Sequence, residues 1–115
     1  MTEPLDDQKL RDSVFINAAE LHDILARDRK PILLDIRFRH GQHDRRFAYL
    51  EGHIPGAIYG DLQHDLAGTP GGTRGNRPMP SLEQIQKKAD DWGIHADSEV
   101  VVYDDDHLLQ AGRAW

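Results

Sequence analysis

Residues 32–36 read Ile-Leu-Leu-Asp-Ile, and Arg37 follows. The apolar run does not alternate with polar residues, so a strand here has both faces buried. That is the pattern of a parallel sheet covered by helices. Parallel strands need crossover connections, and the flanking sequence supplies helices for them. Upstream, Asn17 with Glu20 three residues on forms a capping-box start. Leu21, Ile24 and Leu25 then line one face of a helix running to about Arg27, and Lys30-Pro31 ends it. Further upstream, Val14-Phe15-Ile16 is predicted as a short strand, and residues 1–13 as a flexible N-terminal tail.

Downstream, residues 37–52 are rich in Arg, His and Gly and read as a loop with a short helical turn. Ala57-Ile58-Tyr59 is a brief strand, and Leu62 and Leu66 sit on a helical turn. Residues 67–80 form a long connection dominated by Gly and Pro. Ser81 with Gln84 gives a second capping box. Leu82, Ile85, Ala89 and Trp92 mark the face of the helix that follows, and Gly93 ends it. Val100 to Asp104 is the last strand. The order β-α-β-β-loop-α-β predicts an open, mostly parallel α/β sheet with flanking helices, in one domain over residues 14–115.

The chain has 115 residues, with 20 Asp and Glu against 14 Lys and Arg, a net charge of −6. That balance argues against nucleic acid and against an anionic membrane surface as partners. No apolar stretch reaches the roughly 18 residues a spanning helix needs. The acidic N-terminus has no apolar core of a secretory signal, so a cytoplasmic location is expected. There is no cysteine, which removes disulfides, thiolate metal sites and thiol catalysis from this chain.

In open α/β sheets chemistry sits beyond the carboxyl ends of the strands. The last strand delivers Asp104, Asp105, Asp106 and His107 to such a place. The acidic triplet reads first as an exposed strand-end loop. Asp35 and Arg37 read as a structural pair, the guanidinium bonding nearby backbone. His53 reads as a turn-fixing residue rather than a general base, with Pro55 and Gly56 as turn chemistry. His40 and His43 lack a third metal ligand, so no metal is expected. Gly71 to Gly75 lacks the ending of a phosphate loop and reads as a surface connection. No cofactor is expected.

Three segments together resemble the rhodanese (sulfurtransferase) family: Leu33 to Arg37, Glu51-Gly52-His53-Ile54-Pro55-Gly56-Ala57-Ile58, and Val100 to Asp104. The middle one is the most specific. More narrowly, Tyr103 to His107 followed by Gly112-Arg113-Ala114-Trp115 resembles the N-terminal, non-catalytic domain of tandem thiosulfate or 3-mercaptopyruvate sulfurtransferases. The resemblance implies that Asp104 stands where the family's catalytic Cys stands in the other domain, and that Asp105, Asp106 and His107 stand for the active loop. Asp35, Arg37, Gly52, His53, Pro55 and Gly56 are then family-signature residues. It further implies a rhodanese-like fold truncated at its C-terminus. A complete domain adds a helix, a strand between the first and fourth strands, and a closing helix. The implied partner is the C-terminal catalytic domain of the parent chain, and the chain alone is expected to be inactive.

Two other readings compete. One is a non-enzymatic interaction or regulatory module on the same fold. The other takes Asp104-x-Asp106 at a strand end as the nucleophile and acid/base of a Mg²⁺-dependent phosphatase. That motif normally lies near an N-terminus, and no chain remains here to supply its further residues.

Overall fold

A computed structural model of the chain describes residues 7–39, 45–68 and 78–115. It divides into two units, Met1–Lys30 and Pro31–Trp115. The first unit carries α1 (Asp7–Val14) and α2 (Ala18–Leu25). The predicted capping box is present and reciprocal. The Glu20 N–H donates to Asn17 Oδ1 at 2.8 Å, and the Asn17 N–H donates to Glu20 Oε1 at 3.0 Å. Two expectations change here. The tail predicted over residues 1–13 contains α1, and Val14-Phe15-Ile16 is not a strand. Val14 closes α1, and Phe15 and Ile16 lead to the Asn17 cap, with Phe15 54% exposed. Three apolar residues hold a strand only when a neighbour supplies the ladder. The run pairs with no strand among the described residues.

The second unit is a three-stranded, wholly parallel sheet in the order β2-β1-β3, with β1 (Ile32–Arg37), β2 (Ile58–Asp61) and β3 (Val100–Tyr103). Around it run α3 (Arg46–Glu51), α4 (Leu62–Asp65), α5 (Leu82–Asp91) and α6 (Leu109–Ala114). The sheet is therefore the predicted open parallel α/β type, less its expected first strand. The central place of β1 explains its sequence: residues 33–37 are all buried, with strands on both sides. Register sets Arg37 beside Asp61 and Asp35 beside Tyr103, so the carboxyl ends of the strands collect polar groups.

Leu34, Ile36 and Leu62 form the core, and Phe38, Ile58, Leu66, Trp92 and Val102 pack against it. Gly60 is required by close approach. A β-carbon there would stand 2.6 Å from Ile36 Cδ1 and 3.4 Å from the Trp92 ring. The predicted end of α5 is a Schellman motif: Gly93 has φ +74°, its N–H donates to the Asp90 carbonyl, and the Ile94 N–H donates to the Ala89 carbonyl.

The start of α5 departs from the prediction. Ser81 Oγ accepts from the Gln84 N–H, but Gln84 does not return the bond. Its amide instead donates to the carbonyls of Asp65 and Ala67, satisfying acceptors at the end of α4. Of the predicted apolar face, Ala89 and Trp92 turn inward while Leu82 is 85% exposed. Among the described residues, no helix is long and apolar enough to cross a membrane.

Candidate functional site

The carboxyl ends of β1 and β3 hold a closed network of charges. Asp35 is fully buried and Arg37 is 7% exposed. Arg37 Nε and Nη2 donate to Asp35 Oδ1 and Oδ2 at 2.8 and 2.9 Å, a bidentate pair. The same Nη2 donates to the Gly52 carbonyl at 2.8 Å. Tyr103 donates its hydroxyl to Asp35 Oδ2 at 2.8 Å and accepts from the Ile54 N–H at 3.0 Å. One carboxylate thus joins two adjacent strands to the turn at residues 52–54. Asp35 hydrogen bonding raises the Arg37 pKa further, against the opposing effect of burial. Burial, with the Asp35 charge beside it, pushes the Tyr103 phenol up to about 12.

The turn itself is fixed locally. Gly56 has φ +85°, a left-handed conformation that suits glycine. His53 Nδ1 lies 2.7 Å from the Tyr49 carbonyl, and its ring stacks on Tyr49 at 3.8 Å between centroids. Tyr49 donates its hydroxyl to the Ala57 carbonyl at 2.6 Å. Pro55 and His53 face solvent. His53 therefore sits apart from the buried pair, bonded to backbone.

Beyond β3 the chain wraps around a single side chain. Asp104 Oδ1 accepts from the N–H groups of Asp106 and Leu108, both at 2.9 Å. Asp104 Oδ2 accepts from the N–H groups of Gln110 and Ala111, both at 2.8 Å. Burial works to raise the Asp104 pKa, but the N–H bonds led by Ala111 outweigh it and hold the carboxyl below its usual value. The wrapping forces His107 (φ +56°) and Leu108 (φ +70°) into the left-handed region. Two successive non-glycine residues there are a strained arrangement. The four charge-assisted bonds are what the loop gains in return.

The acidic triplet is therefore not one patch. Asp105 turns back to Arg45, with Arg45 Nη1 donating to Oδ2 at 2.9 Å, and its Oδ2 lies 3.8 Å from Arg37 Nη1. Asp106 accepts from the Gln110 amide at 3.2 Å. The His107 side chain is 97% exposed, with its Nδ1 3.9 Å from Asp106 Oδ1. Each Asp104 oxygen takes two N–H donors, so Asp104 and Asp106 are not presented together as nucleophile and acid. The His40–His43 pair and Gly71–Gly75 lie outside the described residues.

Three participants escaped the sequence reading. Arg45 is buried, pairs with Asp105, and its N–H donates to the Tyr59 hydroxyl at 3.1 Å. Nothing distinguishes it from the other arginines of its loop in sequence. Tyr103 was read as the end of a strand and as part of the resembling segment, not as a partner of Asp35. Asp61 is buried, accepts from Tyr59 Oη–H at 3.0 Å, and caps α4 through the His64 N–H. Its signal was available, since an Asp directly before a helical turn is a cap.

The arrangement is an anion cradle already filled by its own carboxylate, above a buried ion pair that anchors a tight turn. The profile of the rhodanese-like domain matches residues 17–115. A protein of Mycobacterium tuberculosis named as a candidate thiosulfate sulfurtransferase, SseB, is 38% identical over 105 residues, covering 91% of this chain and 37% of that protein. A candidate 3-mercaptopyruvate sulfurtransferase of Pseudomonas aeruginosa is 38% identical over 96 residues, covering 80% of this chain and 34% of that protein. The 3-mercaptopyruvate sulfurtransferase of Escherichia coli K12 is 35% identical over 81 residues, covering 65% and 26%. The chain thus spans little more than a third of these relatives at most. With its parallel sheet, its Asp35–Arg37 pair and its strand-end loop, the chain belongs to the rhodanese-like domain family.

Proposed function

We propose that this chain is the non-catalytic, N-terminal rhodanese-type part of a longer cytoplasmic sulfurtransferase, and that its partner is a Cys-bearing catalytic domain of the same polypeptide. The observation that carries this reading is Asp104. Sulfur transfer needs a thiolate that attacks the donor's transferable sulfur, releasing sulfite from thiosulfate or pyruvate from 3-mercaptopyruvate, becomes a persulfide and passes that sulfur on. The chain has no cysteine, and a carboxylate cannot form a persulfide. Asp104 also occupies the N–H groups that would steady such an anion. An anionic donor brought to about 4 Å from it meets a repulsion of about 4 kcal/mol at an effective dielectric near 20.

One feature supports a longer parent. β3 is an edge strand: the Ile32 N–H donates to the Glu99 carbonyl, so the ladder turns the N–H groups of Val100 and Val102 away from β1. Neither finds an acceptor among the described residues. A further strand supplied by the continuing polypeptide would satisfy them. The relatives carry thiosulfate and 3-mercaptopyruvate in their names alike, so the proposal extends to a small anionic sulfur donor and no further. Its test is sulfur transfer to cyanide from thiosulfate and from 3-mercaptopyruvate. The 115-residue chain is expected to form no thiocyanate, and the longer gene product to form it through a downstream cysteine. Turnover by this chain alone, or a reading frame with no downstream thiol, overturns the proposal, the second outcome in favour of an interaction module.

A further inference from the structure

We draw no further inference here: the strongest candidate, the apolar groove between α5, β3 and α6 lined by Ile85, Trp92, Ile94, Val100, Val102 and Trp115, carries nothing because the structure does not show what covers it other than the continuing polypeptide already proposed.

Discussion

The carboxyl end of the sheet and the outer flank of β3 share that strand and treat it in opposite ways. At the carboxyl end, Asp35, Arg37, Tyr103, Asp104 and Asp105 each have named partners within hydrogen-bonding distance. Along the flank, two N–H groups point outward with no acceptor among the described residues, Val100 is exposed, and an apolar groove ends at Trp115, itself 80% exposed. Buried polar groups are satisfied where a structure is finished, and open ladders with adjacent apolar surface mark where another element fits. The difference teaches that the loop beyond β3 is held by its own N–H groups on Asp104, while the open surface lies beside it on the sheet edge.

The largest effect expected from breaking this contrast comes at its closed end. Asp35→Ala strands the buried Arg37 guanidinium and removes the acceptor of Tyr103. Removing one partner of a buried pair costs about 3–5 kcal/mol, to be read as a lower urea midpoint at constant slope. A loss below about 1 kcal/mol would show that the pair behaves as a surface one. Hydrogen exchange sharpens the open end. The Val100 and Val102 amides should exchange at least about 100-fold faster than the buried amides of β1, and comparable protection would mean that the edge is covered.

Asp104→Asn tests the loop between the two regions. The amide leaves two of the four N–H groups without an acceptor, for a loss of about 1–3 kcal/mol near neutral pH. The folded carboxyl titrates below its ordinary value of 3.8. Its contribution is therefore full above that value and fades as pH falls through the lower folded one. The stability gap between wild type and Asp104→Asn should stay constant at neutral pH and close in strong acid. A gap that grows on acidification contradicts the cradle. The smallest effect belongs to Leu82→Ser on the solvent side of α5, within about 0.5 kcal/mol of wild type by the same urea measurement.

Much of this molecule was legible from residue order. The apolar, non-alternating pattern of β1 called for burial on both faces, and the structure puts β1 in the centre of a parallel sheet. Asn17 with Glu20, and Gly93, carried local signals that act within one helical turn, so they could be read without the rest of the fold. The misreadings share a cause. Val14–Ile16 has the composition of a strand, yet a ladder needs a neighbour that composition does not name. Gln84 had the spacing of a capping box, but acceptors at the end of α4 took its amide.

The sequence by itself determined that no thiol chemistry is possible here, because cysteine is absent, and it placed the carboxylate of Asp104 at the end of the last strand. Only the tertiary structure decided what that carboxylate does. Four N–H groups from a loop spanning seven residues converge on it, and Arg45, sixty residues away in the chain, draws off its neighbour Asp105. The reason is physical: hydrogen bonds act over about 3 Å, and only folding brings such groups that close.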